Sequence, residues 1–156
     1  MRSAIWKSML DADMNARYWK YLVSRYVQRD RALKVFLALM ASGAVAGWGL
    51  WIAVPWLWKT LSSISAVVAI ALPVLNYQTA IEKMSSLAGK WGELRIEYED
   101  LWLQVRNHPD PNLLELNYRK SREIEASLQA KEADLPSNLA LLRKCVEEVK
   151  RARGLR

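Results

Sequence analysis

Gly89-Lys90 is the first pair in the chain that invites a chemical reading, as the close of a phosphate-binding loop. Such a loop needs a second glycine five residues before Gly89 and a Ser or Thr after the lysine. Met84 and Trp91 stand there instead, so the pair is not one. Glu97, Glu99 and Asp100 form an acidic patch, and Glu147 and Glu148 another. Paired carboxylates can move protons, but on charged amphipathic helices they read as solvated faces. His108, in an Asn-His-Pro-Asp-Pro turn, reads as a loop residue. Cys145, set among Leu142, Val146 and Val149, reads as a buried core position. One His and one Cys in 156 residues cannot assemble a metal-ligand set of usual spacing. The lone cysteine makes no intramolecular disulfide and fits a reducing compartment. The basic end (Lys150, Arg151, Arg153, Arg156) reads as a solvated tail, and no nucleic-acid-binding signature accompanies it. No catalytic residue, metal, cofactor or direct nucleic-acid partner is expected.

The elements that would carry any function are shaped by charge placement. Mean hydropathy is only −0.09, yet charged residues stop at Lys34 and the next is Lys59. That leaves 24 uncharged residues from Val35 to Trp58, and 22 more follow from Thr60 to Ile81. A soluble helix rarely lacks charge around its whole circumference, because one face meets water. Two such runs in succession point to lipid. A single helix over 35–75 would extend roughly 60 Å, twice the hydrocarbon thickness, and would strand Lys59 at mid-membrane. Folding back at Ala53-Val54-Pro55 puts Lys59 at the far interface, and Pro55, with no amide hydrogen to donate, marks the turn. The spans are thus expected at 35–52 and 58–75, within a hairpin over 35–76. The 34-residue approach to the first run argues for a retained anchor over a cleaved signal.

Interface chemistry sets orientation. Residues 17–34 carry six cations, Lys83, Lys90 and Arg95 follow the second span, and the turn has only Lys59. The positive-inside rule places both termini in the cytoplasm. Trp48, Trp51, Trp56 and Trp58 would anchor the outer tip as an aromatic belt. Residues 1–34 read as an amphipathic helix lying on the inner leaflet, with Trp19 among its anchors and Arg and Lys reaching headgroups. Gly43 and Gly47 form a GxxxG pair, and Ser62, Ser65, Ala66 and Ala69 line the second span. Such small residues let helices approach closely, whether within the hairpin or between copies in a homo-oligomer.

Beyond the membrane, Tyr77, Ile81, Met84, Ala88, Trp91, Leu94, Tyr98, Leu101 and Val105 step by threes and fours. The spacing predicts that the second span, kinked at Pro73, continues unbroken into a helix of about 30 residues with an apolar seam. Asn107-His108-Pro109-Asp110-Pro111 ends it. A polar helix over 112–133 would follow, with Leu113, Leu116, Ile124 and Leu128 as its apolar face. A third, capped by Ser137 or Asn138, would bury Leu139, Leu142, Cys145, Val146 and Val149. The expected fold is all-α: an interfacial helix, a transmembrane hairpin and a cytoplasmic helical, coiled-coil-like region over 77–156.

Two adjacent spans, a short outer turn and a basic-flanked helix running into the cytoplasm resemble the SLATT group of two-transmembrane effector domains. The likeness covers Tyr18 to about Val105, above all RDRALKVFLALMASGAVAG and SISAVVAIALPVLNYQTAIEKMSSLAGKWGELRIEYEDLW. It implies a bacterial anti-phage defence effector of the inner membrane. Such a protein oligomerises and permeabilises the bilayer when triggered by a sensor or nucleotide-signalling partner protein. Gly43, Gly47, Ser62, Ser65 and Ala69 would then pack helices or line a pore. A holin-like lysis protein and a non-lytic anchor carrying a helical docking module are the alternatives. The long helical tail exceeds what a holin needs.

Overall fold

Met84, Leu87, Trp91, Leu94, Tyr98 and Leu101 recur at intervals of three and four, which a 3.6-residue helix gathers on one face. In the computed structural model, which describes residues 1–42, 55–107 and 110–154, that face is the centre of a bundle. Five helices and no strand occur among the described residues. They are α1 (Arg2–Ala41), α2 (Pro55–Leu75), α3 (Tyr77–Arg106), α4 (Pro111–Glu132) and α5 (Leu139–Ala152).

The chain divides into two compact units. Residues 1–23 and 82–156 form one, and residues 24–81 the other. In the first, the start of α1 joins α3, α4 and α5. Ile5, Met9, Ala12 and Leu22 of α1 are buried, along with the α3 seam, Leu114 and Leu128 of α4, and Leu141, Cys145 and Val149 of α5. Over residues 1–23 this differs from the expected interfacial helix. Its apolar stripe has a protein partner, and Trp19 lies in the bundle core, 3 % exposed. Trp6 adds a ring contact to Trp102, 5.0 Å between centroids.

On α4 the buried face is rotated from the one expected. Leu113 and Leu116 are exposed, while Leu114, Ser121, Glu125 and Leu128 are inside. Pro111 occupies the first turn, where its missing N–H costs nothing, and Asp110 caps the helix by accepting from the Asn112 amide. Asn138 caps α5 by accepting from Leu141 N–H. Leu139 is exposed, contrary to expectation, and Leu141, Cys145 and Val149 make the buried stripe. The C-terminal cations are not all solvated either: Arg153 approaches Asp13 at 3.7 Å and Glu99 at 3.6 Å.

In the second unit, α2 is helical over the residues expected for the second span, with Pro73 inside it. The helix does not run unbroken into α3. Asn76 interrupts it with a φ of 42°. Pro73 supplies no amide to the residue-69 carbonyl, and asparagine tolerates the left-handed region better than most residues, so the break falls there. Asn76 then starts α3, its side chain accepting from the Thr79 hydroxyl at 2.9 Å. Tyr26 and Tyr77 meet edge to face, 5.7 Å apart. The first expected span lies mostly outside the described residues, as do Gly43, Gly47, Trp48 and Trp51.

The rotated α4 face is testable by thermal unfolding of the detergent-solubilised chain. Leu114→Ala is expected to cost about 2–5 kcal/mol, as for other buried leucines. Leu113→Ala and Leu116→Ala should stay within about 0.5 kcal/mol of the parent, being surface changes.

Candidate functional site

Three polar clusters occupy the bundle, each set by which helix faces converge. At the end of α4, Glu132 Oε1 accepts the indole N–H of Trp19 from α1 and of Trp91 from α3, both at 2.6 Å. Two turns further in, buried Glu125 accepts from the Tyr98 hydroxyl at 2.7 Å and pairs with Arg122 at 2.9 Å. Burial, and then the bond to Glu125, raise the Tyr98 pKa far above its usual range, so the phenol remains a donor. Asp11 is also raised, chiefly by desolvation and next by the charge of Glu125, with Lys7 and Arg122 opposing. Ser121 donates to Glu97 at 3.2 Å.

The third cluster borders open space. A groove of about 650 Å³ runs between α1 and α3, lined by Asp13, Arg17, Lys20, Tyr21, Gly92 and Arg95, with Ala16, Ser85, Ala88 and Gly89 as its floor. Asp13 is buried; its Oδ1 accepts from Arg17 Nε at 2.9 Å, and its Oδ2 accepts no hydrogen bond. A Cβ built on Gly89 or Gly92 would meet nothing within 4 Å.

Placement of the expected site residues is uneven. The α3 seam residues Met84, Trp91, Leu94, Tyr98 and Leu101 are buried together, and Ile81 is half-buried in the other unit. Trp56 is exposed, and Trp58 lies in the first turn of α2. On α2, Ser65 is half-buried while Ser62 and Ala69 are exposed. Gly89 and Lys90 sit mid-helix in α3, not in a phosphate loop. His108 lies outside the described residues. Cys145 is buried, as expected. Sequence reasoning missed Asp13, Glu125 and Glu132. Their one signal was position: Glu125 and Glu132 share a helical face with Leu114, Ser121 and Leu128.

The α2 surface is the other candidate. Ile64, Val67, Ile70 and Val74 are 54 %, 66 %, 74 % and 81 % exposed. No single helix among the described residues is long and apolar enough to cross a membrane; Lys59–Val74 reaches that standard only together with Tyr77–Arg106, as a broken pair.

The Asp11 environment predicts a pH effect. Its folded pKa lies above the unfolded value of 3.8, so the folded state holds the proton longer. Stability therefore falls as pH rises from about that value through the folded pKa. Asp11→Asn is expected to flatten this decline and to be the more stable form at neutral pH, measured by urea midpoints across pH 3–7. Compared with known proteins, the chain matches no family model, no curated protein and no solved structure.

Proposed function

We propose that this chain spans a bacterial inner membrane as a two-helix hairpin over residues 35–75, with both termini cytoplasmic. In this reading it is an effector that oligomerises and breaches the membrane when a partner protein or signal releases it. The observation that carries the membrane step is the apolar, exposed surface of α2 beyond Lys59, uncharged over residues 60–75. Half-buried Leu61, Ser65, Val68 and Leu72 cover one side, and Ala71 is half-buried outside it. At 100° per residue, the exposed positions Ser62, Ser63, Ala66, Val67, Ala69, Ile70, Pro73 and Val74 sweep about 160° of the circumference, and Ile64 is exposed beyond Ala71. Each large aliphatic side chain left in water forfeits about 1.5–3 kcal/mol. A single partner helix covers a stripe, not such an arc, so lipid suits it better.

By backbone rise alone α2 suits a span, while the combined standard of length and hydropathy is met only together with α3. The 21 residues of α2 rise about 31 Å, close to the hydrocarbon thickness, with Lys59 on its second turn near one end. Ser62, Ala66 and Ala69 form an exposed small-residue stripe suited to close approach of another helix, which supports assembly. The effector step rests on the SLATT resemblance. A non-lytic tether is the second reading, favoured by α2 having no continuous polar stripe with which to line a pore.

Topology is tested with a membrane-impermeant maleimide on cells carrying Cys145→Ser plus one new thiol. Trp56→Cys should label in intact cells, and Lys150→Cys only after permeabilisation. Labelling of both, or of neither, in intact cells removes the hairpin. Function is tested by co-expression with neighbouring genes under phage challenge, read with a membrane-potential dye. Collapse of potential supports the effector; inserted protein with potential intact leaves the tether.

A further inference from the structure

The break between α2 and α3 lies wholly within the second unit, and neither reading above uses it. We propose that Asn76 is a two-state hinge: the broken form exchanges with one in which α2 and α3 join as a single helix.

One residue separates the two forms. Leu75 ends α2 and Tyr77 begins α3, so only Asn76, at a φ of 42°, departs from helical geometry. No glycine lies between Pro55 and Ala88, so the left-handed conformation falls to a residue with a Cβ. Asparagine reduces the penalty for that conformation without removing it. Such an outlier in the backbone is a pointer to function.

Backbone bonding favours the joined form. In a continuous helix the amides of Tyr77, Gln78 and Thr79 would pair with the carbonyls of Pro73, Val74 and Leu75. In the broken form those amides open α3, where a helix supplies no internal acceptor. The first backbone bond after the break is Ala80 N–H to Asn76 C=O, at 3.3 Å. Pro73 offers no amide to the residue-69 carbonyl in either form, so it weakens the ladder without deciding between them.

Side chains favour the broken form, and they are few. Thr79 donates its hydroxyl to Asn76 Oδ1 at 2.9 Å. Tyr77 meets Tyr26 of α1 edge to face, 5.7 Å between centroids. Asn76 itself is exposed, and beside it lies a cavity of about 310 Å³ lined by Asp30 and Lys34 of α1 and by Leu72 and Pro73 of α2. No close packing clamps the break. Three backbone bonds set against one side-chain bond and one ring contact make a bistable element, not a rigid corner.

The consequence, unlike the hinge itself, rests on the hairpin effector reading. Joining the helices turns α2 about its C-terminal end and changes which of its faces lies open. The exposed Ser62, Ala66 and Ala69 stripe moves with it. Asn76 is then the point at which α3 sets the state of the second span.

The test uses spin labels on Ile64→Cys and Lys83→Cys, both exposed positions, in the full Cys145→Ser chain in detergent micelles, with separations read by pulsed electron resonance. A straight helix spans about 28 Å between these positions, and a break shortens it. Asn76→Ala disfavours the left-handed form and should shift the distribution towards the straight value; Thr79→Val should shift it partly. Asn76→Gly, free to take a positive φ, should keep the parent's shorter separation. Both residues are exposed, so circular dichroism should show the bundle intact in every variant. Separations unmoved by Asn76→Ala and by Thr79→Val overturn the hinge. A membrane-potential dye separates the two claims. Shifted separations with a silent dye leave the hinge and remove the effector. A dye response equal in Asn76→Ala and Asn76→Gly, with fixed separations, removes the hinge alone.

Discussion

The first unit depends on one carboxylate oxygen. Glu132 Oε1 receives both indole N–H groups, from Trp19 and from Trp91, and so ties α1, α3 and the end of α4 at a single point. Its position is otherwise unfavourable. It is the last residue of α4, where the helix carbonyls already concentrate negative charge. Hydrogen bonds to a charged acceptor are worth about 1.5–3 kcal/mol each, and two of them offset that placement. In exchange they fix register, because two large indoles can reach one atom only if their helices are correctly set along their axes. The neighbouring Tyr18 extends the tie: its hydroxyl accepts the Asn138 amide at 2.8 Å, where α5 begins. Two adjacent residues of α1 thereby hold the end of one helix and the start of the next.

That arrangement explains what was legible in the sequence and what was not. The α3 seam could be read directly, because Met84, Trp91, Leu94, Tyr98 and Leu101 are apolar or aromatic and regularly spaced. The α4 face could not. Its buried positions include Ser121 and Glu125, while Leu113 and Leu116 face outward, so reading by apolarity selects the wrong side. Polar residues can occupy a core once donors are supplied from other helices, and those donors (Tyr98, Trp19, Trp91) are remote in sequence. Trp19 misled for a related reason. Tryptophan beside arginine and lysine fits a headgroup layer as well as it fits a bundle, and only the partner Glu132 decides.

The second unit was legible in a different way. Absence of charge over 60–81 located α2, and proline and asparagine located its end, but at Asn76 instead of at a kink within one long helix. Local chemistry settled this detail. Removing one amide at Pro73 weakens the ladder just where asparagine can adopt a positive φ and Thr79 can bond its side chain. The basic stretch over residues 24–34 has its own local order. Lys34 pairs with Asp30 at 2.6 Å, and Arg29 lies over the Tyr26 ring. Exposed ion pairs of this kind contribute little stability, so they do not offset the apolar surface of α2, which must be covered by something else.

Costly features with and without a structural return separate the groove from the rest of the bundle. Burying Glu125 and placing Glu132 at a helix end are both unfavourable in isolation, yet each is answered by donors that lock helices together. Glycine inside a helix is also unfavourable, by about 0.5–1 kcal/mol against alanine. At Gly89 and Gly92 nothing answers that cost, because no neighbour stands within 4 Å of an added Cβ and neither tight packing nor positive φ demands glycine. Asp13 Oδ2 differs: it accepts no hydrogen bond, yet its charge is answered by Arg153 of the C-terminal end at 3.7 Å. Sequences that specify one fold satisfy such local rules nearly everywhere, and violations without structural return collect where a molecule must bind something else.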